Sequence, residues 1–273
     1  MGAPLPQIFV INLPEDAARR ETMRARLDQA GVEYSFFEAV NGRAFDMTAM
    51  PGYDRAKRRA AFGRDMMPAE MGCLLSHRKI YEKMDRENIP AAVVLEDDVV
   101  FEPEFKDVLA ALMQMNETGP CQWDVIRFVG SAKIYKRGCR RIAPLFGQRD
   151  DKYWMGRLPT APGGAHGYLL TLKAARVMIA HMQENWMPID TLQGRMWETG
   201  LETLVVHPAP LHIDQDAGTT IGDARFDKTV TLEGWRKTIF PLTRVWYKLT
   251  DTLGKKWIYL STWPKDRIAN IAK

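Results

Sequence analysis

Three consecutive carboxylates, Glu96, Asp97 and Asp98, follow the apolar run AAVVL. Carboxylates this close repel one another unless a cation or another positive partner sits among them. Oxygen donors with few His or Cys nearby suit Mg²⁺ or Mn²⁺, ions that also bridge phosphate oxygens. The triplet therefore points to a divalent ion holding a diphosphate, or else to an acidic turn that caps a solvated strand end. Asn12 closes the first apolar run and precedes Arg19-Arg20 on a helical stretch. Paired arginines there can hold a nucleotide and its phosphates through charge-assisted hydrogen bonds, or simply form a solvated face.

Weaker signals surround these. Cys73, Ser76 and His77 lie within GCLLSH. Cys73 and His77 are an i, i+4 pair with no third catalytic group in sequence, and a buried Cys beside a packed His is the commoner explanation. Gly163-Gly164 precede the run HGYLLTL and would let backbone approach a sugar or diphosphate, or form a tight turn. They match neither the dinucleotide-binding nor the P-loop fingerprint. Asp190, in NWMPID, is an isolated carboxylate suited to a general base or a helix cap. Late in the chain, HPAPLHIDQD gathers His207, His212, Asp214, Gln215 and Asp216, one of which could complete a metal shell.

The elements that must position these groups alternate. Residues 7–13, 32–40, 91–95, 123–129, 166–172 and 204–207 read as strands, short and rich in β-branched or aromatic residues. Residues 15–30, 68–88, 105–115 and 173–185 keep apolar spacing near a helical period. Gly72 inside the second of these costs about 1 kcal/mol relative to Ala, which calls for a close-packing reason. Residues 136–153 are basic and loop-like, a flap or a short hairpin. From residue 232 onward the chain reads as helical, broken near Pro241 and Pro264. Strand, helix, strand within the first forty residues implies a βαβ unit, hence an α/β, Rossmann-like fold with a mostly parallel central sheet. In such sheets ligands bind at the carboxyl ends of the strands, where Glu96 stands.

Composition narrows the classes further. With 273 residues, 46% apolar and 26% charged, the chain is neither disordered nor fibrous and can bury a sizeable core. Its three cysteines form no CxxC pair, which suggests a reducing compartment. No basic segment followed by a long apolar run opens the chain, and no stretch nears eighteen apolar residues, so a cytoplasmic location is expected. The net charge of +4 is too mild for a nucleic-acid binder. It is unevenly spread: residues 225–273 hold eleven basic and four acidic residues, and four of the eight tryptophans. That basic, aromatic-rich stretch suits a helix lying on an anionic membrane surface, or one whose aromatics pack onto the rest of the chain while its lysines are solvated; residues 1–224 are expected as the main domain and 225–273 as a helical tail.

Taken together, these blocks resemble glycosyltransferase family 25, the bacterial lipooligosaccharide β-galactosyltransferases and their relatives. The matching residues are VINL with Arg19-Arg20 and Met23; Glu70, Gly72-Cys73, Ser76-His77-Arg78 and Ile80; LEDDVVF; Gly167-Tyr168 ahead of Lys173-Ala174-Ala175; and Pro188-Ile189-Asp190. Gln215 is present, and Thr220 stands where Ser is usual. The resemblance implies a GT-A-like fold and inverting transfer of a sugar, galactose first, from a UDP-sugar to a saccharide acceptor in lipopolysaccharide or another surface glycan. It makes Glu96, Asp97 and Asp98 the counterpart of a DxD motif that binds the donor diphosphate through Mn²⁺ or Mg²⁺. Asn12, Arg19, Arg20, Ser76, His77 and Gly164 are then expected on the donor side with Glu96 and Asp97. Glu96, Asp98 and His212 are expected as metal ligands, and Asp190 as base. An oligosaccharide or glycolipid acceptor would be met at the inner leaflet of the membrane. The competing class is a binding module that keeps the nucleotide-sugar or glycan site without turnover.

Overall fold

The computed structural model describes residues 4–119, 121–128, 135–136, 138–146, 152–214 and 229–271. Eight strands form one sheet: β1 (Gln7–Asn12), β2 (Ser35–Glu38), β3 (Ala91–Glu96), β5 (Val125–Arg127), β6 (Arg140–Pro144), β7 (Trp154–Arg157), β8 (Gly167–Thr171) and β9 (Thr203–His207). Their order is β2-β1-β3-β8-β5-β9-β7-β6. A separate antiparallel ribbon pairs β4 (Val99–Phe101) with β10 (Leu211–Ile213). The α/β class stands.

The sheet is mixed in its pairing. β1 runs parallel to β2 and β3, and β5 to β9, whereas β8 is antiparallel to both β3 and β5, and β7 to both β9 and β6. Six of the eight strands thus share one direction and β8 and β7 oppose it. Both faces of the central strands are covered, which is why their sequences read as unbroken apolar runs. Ile8, Val10, Val93 and Leu95 enter one core, and Phe9, Ile11, Ala92 and Val94 the other.

Helices α1 (Ala17–Ala30), α2 (Arg55–Phe62), α3 (Pro68–Glu87), α4 (Phe105–Thr118), α5 (Leu172–His181), α6 (Ile189–Gln193) and α7 (Met196–Thr199) complete the body. Pro68 opens α3, where its missing N–H costs nothing. The Glu70 carboxylate accepts the Met67 N–H at 2.9 Å, satisfying a first-turn donor. Gly72 has the close-packing reason its cost calls for: a Cβ there would lie 2.6 Å from the Val40 carbonyl oxygen and 2.8 Å from the Gly42 nitrogen. α3 can therefore press against the chain leaving β2.

Three local expectations are corrected, and for the basic stretch one of its two alternatives is chosen. The second strand spans only Ser35–Glu38, an edge strand whose flanks are irregular. The basic stretch 136–153 contributes β6, which pairs with β7, so it belongs to a hairpin. The helix expected over 173–185 ends at His181, and Asn185 instead bonds the chain at Gly52. The C-terminal helix α8 (Gly234–Ser261) runs through Pro241 unbroken. Pro241 is exposed, so the carbonyl it cannot serve is on the solvent side. The break comes at Thr262, ahead of α9 (Trp263–Ile271).

Residues 229–271 are packed onto the body along one side. Thr231 donates its N–H to the Gly63 carbonyl at 2.9 Å, and Leu232 is buried. Tyr247 sits against Phe62 with ring centroids 5.0 Å apart. At the far end Asp266, 2% exposed, lies 2.9 Å from Arg157 and 2.8 Å from Arg140.

Candidate active site

β1 and β3 are neighbours pointing the same way, so Asn12 and Glu96 reach the same edge of the sheet. A cleft of about 430 Å³ opens there. Its walls come from the end of β1, from Arg19 on α1, from the chain after β2 (Ala39–Arg43), from Cys73, Ser76 and His77 on α3, and from Glu96-Asp97-Asp98, His166, Ile213 and Asp214.

The three carboxylates face different partners. Asp97 turns to the β1–α1 side, accepting the Asn12 side-chain N–H at 2.6 Å and meeting Arg19 at 3.0 Å. Burial raises its pKa, outweighing those two neighbours. Glu96 and Asp98 both turn to His166, whose Nδ1 lies 2.8 Å from Glu96 and 3.4 Å from Asp98. Burial opposes charge on both Glu96 and His166, yet their mutual attraction wins. The glutamate is pushed below its ordinary range and the histidine well above it. Ligand atoms of Glu96, Asp98 and His166 lie within 4.8 Å of one another, as do those of Cys73, His77 and Glu96.

The first of these groups fits a hard divalent ion. It offers two carboxylates and one imidazole, a donor set compatible with Mn²⁺ and Mg²⁺. Asp98 Oδ1 is buried and makes no hydrogen bond among the described residues. The second group fits poorly, because burial drives the Cys73 thiol away from the thiolate a metal needs.

His166 was missing from the expected ligand set, and the direction of β8 explains how it comes to lie beside Glu96 and Asp98. β8 runs antiparallel to β3, pairing Gly167 with Leu95, so the residue just before β8 meets the residue at the end of β3. The Glu96 N–H donates to the His166 carbonyl at 2.9 Å. His212 does not join this group. It sits on β10 opposite Val100, half exposed, with Glu102 3.5 Å away, while the next residues, Ile213 and Asp214, line the cleft. Gln215, Asp216 and Thr220 lie outside the described residues.

Other expected residues take varied places. Arg19 is on the cleft wall, but Arg20 stacks its guanidinium 4.4 Å over the Phe36 ring, outside the wall. The Ser76 hydroxyl accepts the Val40 N–H at 2.8 Å and donates to the Gly72 carbonyl at 2.7 Å, so it fixes the α3 contact with the cleft's rim. His77 is fully buried. Its Nδ1 lies 2.7 Å from the Tyr168 hydroxyl, which meets the Tyr81 hydroxyl at 2.5 Å, and its Nε2 points toward Glu96 at 4.0 Å. Burial lowers its pKa to about 4, so the ring is neutral at pH 7.

Gly164 and Asp190 meet each other instead of lining the cleft wall. Asp190 accepts the Gly164 N–H at 2.9 Å and the Thr191 N–H at 2.7 Å. Gly164 has φ +77°, and a Cβ on it would lie 2.6 Å from the His166 ring, so a glycine is required for that ring to sit where it does. Arg127, buried at the end of β5, donates to the Pro162 carbonyl at 2.9 Å and to the Gly164 carbonyl. Asp190 and Arg127 therefore hold the glycine turn from behind. Sequence reading passed over Arg127, although a lone arginine inside WDVIRFV is a buried charge needing a purpose.

The family model for glycosyltransferase family 25 (LPS biosynthesis protein) matches residues 5–193. The chain belongs to glycosyltransferase family 25. Among relatives, a Drosophila melanogaster glycosyltransferase 25 family member is 33% identical over 209 residues, covering 71% of this chain and 31% of that protein. Human procollagen galactosyltransferase 2 is 26% identical over 196 residues, covering 67% of this chain and 29% of its own. A bovine protein named as a probable inactive family member 3 is 27% identical over 238 residues, covering 77% and 38%. The chain thus spans about a third of the length of the curated relatives it matches. A glycosyltransferase involved in glycosylation of the PBCV-1 major capsid covers 80% of this chain and 95% of its own at TM-score 0.39 and 11% identity, too distant to argue from.

Proposed function

We propose that this family 25 glycosyltransferase has a GT-A-like catalytic domain. It would transfer a hexose, galactose first, with inversion from a UDP-sugar to a saccharide hydroxyl of a surface glycan such as lipopolysaccharide. The observation that carries the reading is the convergence of Glu96, Asp98 and His166 at the strand-end cleft that Asn12 and Arg19 flank. Galactose and UDP are favoured by the resemblance of LEDDVVF and its flanking blocks to the family, and by the galactosyltransferases among the relatives.

Glu96, Asp98 and His166 would hold Mn²⁺ or Mg²⁺, which when bound neutralises charge on the departing diphosphate. Arg19 reaches into the cleft beside Asp97 and supplies further positive charge toward the phosphates. Asn12 fixes Asp97, and the rim at Ala39–Arg43, held by Ser76, offers backbone groups to the nucleoside. His77, neutral and tied to Tyr168, supports Glu96 from below. Asp190 acts as a positioning residue for the Gly163-Gly164 turn, which sets the His166 ring.

The second reading is the non-catalytic binding module, favoured by the bovine relative's name. One experiment separates the two. UDP release is measured across a panel of UDP-hexoses, with Mn²⁺, with Mg²⁺ and with chelator, for the wild type and Asp98→Ala. Release from one sugar that needs both the ion and Asp98 supports the transferase. UDP protection against thermal unfolding without release from any sugar, even with saccharide acceptors added, gives the binding module the lead.

A further inference from the structure

Helix α8 presents two unlike sides. Toward the body, the Phe240 ring is pressed so near Gly63 that a Cβ there would lie 2.6 Å away, Arg244 donates to the Ala61 carbonyl at 2.8 Å, and Gly254 admits the Trp197 ring. Beside that contact, Trp235, Leu242, Trp246, Leu249, Leu253 and Trp257 stand at intervals of three, four or seven residues and are exposed, Leu242 and Trp246 also bordering a groove against Lys57 and Trp186 of the body. The tryptophans at 235, 246 and 257 are 67%, 68% and 69% exposed. Residues so spaced share one helix face, here a stripe about 33 Å long. No helix among the described residues is long and apolar enough to cross a membrane.

The charges around the stripe select its occupant. α8 carries six basic residues, of which Arg236, Lys237, Lys248 and Lys256 are exposed. Its one carboxylate, Asp251, is engaged by Lys255 at 2.6 Å and by Arg195 at 3.7 Å. A second copy of the same helix would bring two basic helices together, where paired helices normally alternate signs. An anionic bilayer offers apolar depth to the stripe, negative headgroups to the flanking Arg236 and Lys256, and an interfacial level for indoles.

We infer that α8 is a membrane-docking face: the protein lies on an anionic phospholipid surface with this stripe in the interface. The helix is held rigidly for the task. Asp266, just beyond its end, is buried between Arg157 and Arg140, and Tyr259 donates its hydroxyl proton to the Gly138 carbonyl at 2.7 Å. Docking would therefore set the orientation of the whole body.

The test uses the full chain with phosphatidylcholine vesicles, with and without phosphatidylglycerol, at low and high salt. The expected result is flotation with the anionic vesicles and a blue shift of tryptophan emission, both weakened by salt. Trp246→Ser combined with Trp257→Ser should cut partitioning by at least about tenfold. Arg236→Gln and Lys256→Gln, whose side chains flank the stripe, should each cost about fivefold. All four side chains are exposed, so unchanged urea midpoints confirm that the variants fold. Failure of the wild type to float, or flotation indifferent to both salt and these changes, overturns the inference. A concentration-dependent dimer that the tryptophan changes dissolve, with no flotation, assigns the stripe to a second copy instead.

Discussion

In the cleft, charged groups from distant parts of the chain neutralise one another: Asp97 meets Arg19 and Asn12, and Glu96 and Asp98 share His166. On α8 the charges of the outer side have one sign, and the apolar groups stand in solvent. Both regions look costly for an isolated chain. Buried like charges demand compensation, and exposed tryptophans forgo burial worth about 2 kcal/mol or more each. The difference is where compensation comes from. The cleft carries its own in part and, on the proposed function, would be completed by an ion and an anionic donor, whereas the stripe has none within the described chain and would take it from an outside surface.

The largest expected effect probes the anchor that keeps these regions in one body. Arg157 and Asp266 are both buried, and Arg157 also pairs with Glu202. Arg157→Ala leaves Asp266 short of a partner and should cost about 3–5 kcal/mol of stability, read by urea unfolding. A loss under about 1 kcal/mol would mean that α9 is not a structural part of the domain. Next comes the cleft itself. Asp98→Ala should lower sugar transfer by about a hundredfold or more, since it removes one of the two carboxylates that would hold the proposed ion. Unchanged turnover would break the assignment of this cleft.

A subtler test sharpens the claim that the cleft awaits an ion. Without metal, Glu96 and Asp98 hold His166 protonated well above its ordinary range. A coordinating imidazole must be neutral, so binding has to expel that proton. Affinity for Mn²⁺ should therefore rise with pH by up to about tenfold per unit while the free ring remains protonated. Calorimetry in two buffers of different ionisation enthalpy counts the proton. His166→Gln should flatten the slope; a slope that survives in the variant removes His166 from the ligand set.

Much of the cleft was legible because an apolar strand interrupted by carboxylates has few interpretations. The pairing of Asn12 and Glu96 at one edge followed from two parallel strands. What could not be read was the direction of β8. Had β8 run parallel to β3, as an all-parallel α/β sheet would have it, His166 would lie at the opposite edge from Glu96. Antiparallel insertion reverses that, and no local sequence signal encodes strand direction. The choice of His212 had another cause: 211–213 had not been read as a strand, and alternation along β10 turns His212 toward Glu102 while Ile213 lines the cleft. Asp190 was read as a base; its carboxylate accepts two backbone N–H groups, which supports the positioning role proposed above. Asp190→Asn keeps an acceptor oxygen and should retain part of the activity, whereas Asp190→Ala should lose more. Equal and near-complete loss in both would restore the role of base.

Arg19 and Arg20 give the smallest and cleanest contrast. They are adjacent, equally basic and indistinguishable in a sequence. A helix turns about 100° between neighbours, so only one of them can face the cleft. That one is Arg19, at 3.0 Å from Asp97 and 3.6 Å from Asp98. Arg20 covers the Phe36 ring, a contact worth about 0.5–1 kcal/mol of stability at an exposed site. Arg19→Ala should raise the donor KM about tenfold by removing a charge-assisted contact of about 1.5 kcal/mol. Arg20→Ala should leave KM within about twofold and lower the urea midpoint slightly. If Arg20→Ala instead weakens the donor as much as Arg19→Ala, the nucleotide lies across α1 rather than in the cleft beside Asp97.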